Sequence, residues 1–165
     1  MIYIENVFAC IAAPLVVAAL CAGRRHLRIF VFSLAGMLVC LLSAYVNTFF
    51  AAILGATDLG ATAEIAPVVE EIMKFLPLMF YLLVFEPDAD SIKSALLITA
   101  VGFATFENVC YLISNGAEDL GFLLIRGFGT GAMHIVCAAL VGAGMVYVWP
   151  RGALRAAGSC ALLGT

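Results

Sequence analysis

Residues 95–113 read ALLITAVGFATFENVCYLI, an apolar stretch long enough to cross a lipid bilayer that nevertheless carries Glu107 and Asn108. A hydrocarbon core of about 30 Å needs about 20 apolar residues at a helical rise of about 1.5 Å per residue. A charged group inside that core costs about 2.5 to 3.5 kcal/mol on insertion scales, so a charged residue there indicates a functional or structural role. The stretch therefore predicts a membrane helix that carries part of a polar site.

The rest of the chain has the same apolar character. Of its 165 residues 65% are hydrophobic and 12% are charged, whereas soluble domains contain about 25% charged residues. This composition excludes a secreted disulfide framework, a disordered regulator and a nucleic-acid binder, so no nucleic-acid partner is expected. The six cysteines lie in or beside apolar runs without a CxxC pair, so we interpret them as small hydrophobic residues.

The apolar stretches predict an all-α, polytopic membrane helix bundle. None of them alternates with period 2, and helices satisfy every backbone polar group in lipid. We predict five transmembrane helices and interpret the tail RAAGSCALLGT as the start of a truncated sixth, all within a single domain over residues 1–165. The predicted spans cover residues 6–22, 29–55, 65–85, 93–114 and 130–149.

The distribution of cations predicts an orientation. If the spans alternate in direction, six of the eight cations fall on one side: Arg24, Arg25, Arg28, Lys93, Arg151 and Arg155. Loops rich in Lys and Arg face the cytoplasm. The chain is therefore predicted to be a multi-pass protein of a cytoplasmic (inner) membrane, with its N-terminus outside.

Four of the predicted spans carry polar side chains at a similar depth, in the outer half of the membrane: Asn47, Glu70, Glu71, Lys74, Glu107, Asn108 and His134. Counting from the outer end of the third span puts Glu70 and Glu71 about 8 Å below the boundary. Glu70 and Lys74 are separated by four residues on one helical face, and Glu71 and Lys74 by three, so both pairs are expected to attract. Adjacent residues point about 100° apart, so only one of the two glutamates is expected to face a shared cavity.

These residues form three motifs that resemble a known family. EEIMK (70–74), GFATFEN (102–108) followed by Tyr111, and Arg126 with His134 ahead of Gly142 are similar to the pattern of the PrsW family of intramembrane proteases, within the CAAX-protease and bacteriocin-processing superfamily. The motif core covers residues 64–142. One position departs from CAAX-type enzymes, since Ala138 stands where they often have Asn four residues after the histidine.

The resemblance implies hydrolysis of a peptide bond within or at the edge of a bacterial inner membrane. In PrsW-like proteins this activity is associated with site-1 cleavage of membrane-bound anti-sigma factors, so a membrane-anchored protein substrate is expected. By similarity, the catalytic residues are Glu70, Glu71, Glu107 and His134. We also predict supporting roles for Lys74, Asn108, Asn47 and Arg126.

Two mechanisms remain open from the residues alone. In the first, Glu70 activates a water with Glu71 or Glu107 assisting, while His134 and either Asn108 or Asn47 face the tetrahedral intermediate. In the second, Zn²⁺ is bound by Glu71, Glu107 and His134, because two carboxylates and one imidazole leave an open position for water.

Other interpretations of the same residues compete with a protease. Buried Glu, Lys and His also mark the ion pathway of a proton- or cation-coupled carrier, and a non-catalytic membrane scaffold could retain the motif. Lys74 is equally well explained as a structural ion pair, and Arg126 as an interfacial anchor or a carboxylate partner. The segment GAEDLGFLLIRGFGTG (116–131) is predicted to be a short interfacial helix that ends at a Gly-rich break and acts as a lid.

Overall fold

The computed structural model describes residues 3–57, 60, 64–85, 87–116 and 119–148. All regular structure in these ranges is helical, so the all-α prediction is confirmed. The long helices are α1 (Ile4–Cys21), α2 (Arg24–Leu54), α3 (Ala66–Phe85), α4 (Ala89–Asn115) and α5 (Leu120–Val148). Two turns are fixed by left-handed glycines, Gly55 with φ 61° after α2 and Gly116 with φ 79° after α4.

Four of the helices in the described ranges are long and apolar enough to cross a membrane, namely α1, α2, α4 and α5. Their outer surfaces carry large apolar side chains, such as Leu20 and Phe128, which are 81% and 78% exposed. The third predicted span is also a helix, but within its 20 residues α3 contains Glu70, Glu71 and Lys74. The predicted sixth span (155–165) and Arg151 before it lie outside the described residues.

The fifth predicted span begins earlier than the sequence indicated. The predicted break at the end of residues 116–131 is wrong, since α5 begins at Leu120 and continues through Gly127, Gly129 and Gly131. Glycine weakens a helix by about 1 kcal/mol in water, but lipid offers no partner for a freed backbone group, so the helix is retained. His134 is consequently about four turns into α5 instead of near its start.

Helices α2 and α4 cross with their backbones in direct contact. A Cβ added at Gly36 of α2 would overlap the carbonyl oxygen of Thr99, and one added at Gly102 of α4 would overlap the carbonyl oxygen of Ser33. Small residues allow membrane helices to approach in this way, where van der Waals packing replaces the hydrophobic effect. The crossing fixes the rotation of α4 and with it the direction of Glu107.

We expect Gly36→Ala and Gly102→Ala each to destabilise the protein by at least about 1 to 3 kcal/mol, the usual cost of overpacking, because a backbone carbonyl cannot turn aside as a side chain can. Gly144→Ala is the matched control, since a Cβ at this α5 position meets nothing within 4 Å. Thermal unfolding in detergent should show a lower Tm for the first two variants and an unchanged or higher Tm for the control. An unchanged Tm in Gly36→Ala and Gly102→Ala would contradict the close crossing.

Helix α1 is the most loosely packed helix of the five. Its buried residues are Ala12 and Ala19, while Val17 and Leu20 are exposed. It packs mainly on α2, and it reaches α4 through an edge-to-face contact between Phe8 and Phe106 with ring centroids 5.5 Å apart. Half-buried apolar residues of α1, among them Ile4, Val7 and Phe8, pack against the core of α2 and α4, and a smaller share of α1 is buried than of the other membrane-crossing helices.

Candidate active site

His134 of α5 lies at the centre of a chain of polar contacts and is 1% exposed. Its Nε2 is 2.6 Å from Oε2 of Glu107 on α4, and its Nδ1 is 2.7 Å from Nζ of Lys74 on α3. A lysine ammonium can only donate hydrogen bonds. Nδ1 therefore accepts a hydrogen bond from Lys74. Nε2 carries the ring proton and donates a hydrogen bond to Glu107.

Lys74 is a buried cation with three partners. Besides His134, its Nζ contacts Oε1 of Glu71 at 2.6 Å and lies 4.5 Å from the centre of the Phe103 ring. The predicted pairing with Glu71 is therefore present. The predicted ion pair with Glu70 is wrong: among the described residues the carboxylate that contacts Nζ of Lys74 is that of Glu71, whereas Glu70 is grouped with Glu107 and His134.

Glu107 is held from a second direction by Arg126 of α5. Nη2 of Arg126 is 3.3 Å from Oε1 of Glu107, and Nη1 donates to Oδ1 of Asn108 at 2.6 Å. The guanidinium also stacks on Tyr111, with Cζ 3.6 Å from the ring centre. Arg126 is thus a carboxylate partner, and it leaves the amide nitrogen of Asn108 available as a donor.

Glu70 differs from the other two acids in its surroundings. Within the described ranges, no donor forms a hydrogen bond with its carboxylate. One ligand atom each from Glu70, Glu107 and His134 lie within 4.8 Å of one another. The metal set predicted from sequence contained Glu71, whereas the structure groups Glu70 with the other two residues, and Glu71 contacts Lys74 instead.

The donor set formed by Glu70, Glu107 and His134 is chemically suited to a divalent metal. Two carboxylate oxygens and one imidazole nitrogen are ligands that Zn²⁺ accepts, and three protein ligands are the usual number at a catalytic zinc. The spacing within 4.8 Å lets all three reach one ion. The residues present therefore fit the metal.

A cavity of about 480 Å³ opens beside this group, with Glu70 and Glu107 in its wall. Of the two amides predicted to support the site, Asn47 lines the cavity, whereas Asn108 is turned toward Arg126. Oδ1 of Asn47 is buried and has no hydrogen-bond partner among the described residues. The remaining lining is largely apolar and comes from α1, α2 and α4.

Two aromatic residues at this site were not singled out by the sequence analysis as site residues. Phe103 is fully buried against both Lys74 and His134, with its ring 5.1 Å from the imidazole, and Tyr111 stacks on Arg126. Their spacing carried a signal: Phe103, Glu107 and Tyr111 are four residues apart, so they share one face of α4.

A family model described as PrsW family intramembrane metalloprotease matches residues 23–165. The match begins after α1 and includes every residue of the polar cluster, which we define as Glu70, Glu71, Lys74, Glu107, Asn108, Arg126 and His134. No curated protein and no solved structure matches the chain.

Proposed function

Because the chain belongs to the PrsW family of intramembrane metalloproteases, we propose that it hydrolyses a peptide bond of a membrane-anchored protein at the Glu70, Glu107 and His134 group. The observation that carries this proposal is the convergence of two carboxylates and one imidazole within 4.8 Å. The adjoining cavity supports the proposal, since Glu70 and Glu107 stand in its wall.

We further propose that α3 crosses the membrane as the third of five spans. Its charged residues do not have to face lipid, since Lys74 is 4% exposed and is paired with Glu71 and His134. Intramembrane ionisable residues that face a bundle interior and pair with one another are tolerated. With the cation-rich ends in the cytoplasm, the N-terminus is outside and the site lies in the outer half of a bacterial inner membrane.

Glu70, Glu107 and His134 would hold the metal, with Zn²⁺ as our proposal for its identity. When bound, the ion supplies Lewis-acid polarisation of the scissile carbonyl and of a water molecule. If Nε2 of His134 were a ligand, this nitrogen would have no proton. Nδ1 would then carry it and could not accept from the Lys74 ammonium. Glu71 already contacts that ammonium at 2.6 Å and keeps it paired.

The protein residues divide the proton chemistry among them. Of the two oxygens of Glu70, one would hold the ion. The other binds no donor among the described residues, accepts the proton of the attacking water, and later gives it to the leaving amide nitrogen as the C–N bond breaks. His134 and Arg126 orient Glu107 from two sides.

The substrate class follows from the position of the site. A membrane helix hides its amides in internal hydrogen bonds, so cleavage requires a segment that has unwound or that lies near the interface. We propose a single-span protein cleaved close to its outer boundary, and by the family resemblance an anti-sigma-factor-like protein.

Co-expression with tagged single-span membrane proteins tests this function. The wild type is expected to shorten at least one member of the panel, and Glu70→Gln is expected to leave the same protein intact. Cleavage by both, or by neither across a broad panel, would favour the carrier or scaffold interpretation.

A further inference from the structure

The cavity beside the polar cluster has one wall formed by the start of α1, and its other walls are formed by α2, α3 and α4. Helices α2, α3 and α4 contribute residues fixed by the bundle core, including Cys40, which is 8% exposed. The remaining wall is the beginning of α1, with Tyr3, Ile4 and Glu5. This helix packs mainly on α2 and precedes the region matched by the family.

A hydrogen bond connects this wall to α2 on its exposed side. The hydroxyl of Tyr45 on α2 donates to the carboxylate of Glu5 on α1, and both side chains line the cavity. Glu5 and Tyr45 are exposed, so breaking their hydrogen bond leaves no buried group without a partner.

The cavity also contains an unused hydrogen-bond acceptor. Oδ1 of Asn47 is buried and unpartnered among the described residues, and such groups normally have a partner in a folded protein. Ser43, Asn47 and Thr48 bring polar atoms to a lining that is otherwise mostly apolar, and Glu70 and Glu107 stand in the same wall. A volume of about 480 Å³ falls in the usual range for ligand sites of about 300 to 1000 Å³.

We propose that this cavity binds an extended segment of the membrane-anchored substrate, and that the substrate enters sideways when the start of α1 moves away from Tyr45. The side-chain amide of Asn47 then turns into the cavity, and its Oδ1 accepts a backbone N–H group of the substrate. An extended segment fits because its N–H groups are free, whereas those of a helix are already bonded. The inference rests on the proposed function, since it assigns the substrate site of the same catalytic group.

Native cysteines report on the movement of α1 without any substrate. Cys110 lines the cavity, and Cys137 on α5 does not; both are half-buried. Loss of one exposed hydrogen bond in Tyr45→Phe is expected to raise the rate of Cys110 alkylation by N-ethylmaleimide about five-fold. The rate at Cys137, read by peptide mass spectrometry, should not change.

Tyr81→Phe is the matched control, because it removes a phenol hydroxyl that contacts Arg28 away from the cavity. It should leave the Cys110 rate at the wild-type value. An unchanged Cys110 rate in Tyr45→Phe, or an equal increase in Tyr81→Phe, would overturn α1 as the movable wall.

A synthetic single-span peptide tests the occupant in vesicles that contain the Glu70→Gln protein, which is not expected to cleave it. One version has a Gly/Ser-rich outer flank, and a second has a helical flank of EAAAK repeats. The Gly/Ser version is expected to slow Cys110 alkylation about five-fold, with the protection lost in Asn47→Leu and absent for the helical version. Absent protection, or equal protection by both flanks, would overturn the proposal.

The peptide measurement is independent of hydrolysis. Protection without cleavage by the wild type in the co-expression panel would refute the protease proposal alone. Cleavage in that panel without protection of Cys110 would refute the substrate cavity alone.

Discussion

Glu70→Gln is expected to lower the rate of proteolysis by about 10² to 10⁴-fold, the range for loss of a general base, while Glu71→Gln retains most of the activity. The two residues are adjacent in sequence, but only Glu70 lies beside Glu107 and His134 in the cavity wall. Glu71 contacts Lys74, and a glutamine there still offers an oxygen to the ammonium. Cleavage rates of a substrate from the co-expression panel, measured with both purified variants, test this difference.

The comparison is informative because the two substitutions are chemically identical. Glu70→Gln should keep the wild-type Tm to within a few degrees, since Glu70 is not buried in the apolar core. Glu71→Gln is expected to lower the Tm, because it removes the carboxylate that pairs with the buried Lys74 ammonium. Comparable losses of activity at both positions would contradict the division of roles, and a larger loss in Glu71→Gln would reverse it.

The sequence predicted the helices well because lipid restricts the backbone to few solutions. The predicted spans at 6–22 and 93–114 correspond to α1 (Ile4–Cys21) and α4 (Ala89–Asn115). The Gly-rich start of α5 was misjudged because the rules for glycine come from helices in water, where a broken backbone hydrogen bond is satisfied by solvent.

The members of the polar cluster could be predicted from their motif and depth, but their pairing could not. Whether Glu70 or Glu71 faces Glu107 depends on the rotation of α3 about its axis. That rotation is set by contacts with α2 and α4, which no spacing within α3 records. The role of Arg126 was equally undetermined, because it became a partner of Glu107 only once residues 120–129 were part of a continuous α5.

The protein purified in mild detergent and equilibrated with Zn²⁺ is expected to hold about one ion per chain, as a three-ligand catalytic site does. His134→Ala and Glu107→Ala each remove one of the three proposed ligands, so both are expected to lose bound metal and proteolytic activity together. Glu71→Gln should retain the metal, because Glu71 pairs with Lys74 and is not a member of the group. Inductively coupled plasma mass spectrometry of the desalted proteins measures the metal content.

The metal measurement also decides between the two mechanisms that the residues allow. If a chelator removes both the ion and the activity, and Zn²⁺ restores them in the wild type but not in His134→Ala, then Glu70, Glu107 and His134 act as a metal site. Full activity in protein shown to be metal-free would reject that assignment and leave Glu70 as the base acting on an unligated water. In that case the hydrogen bond from Nε2 of His134 to Glu107 is kept throughout the reaction, since no ion competes for that nitrogen. Loss of metal in Glu71→Gln would instead return Glu71 to the ligand set and require α3 to rotate from the orientation described.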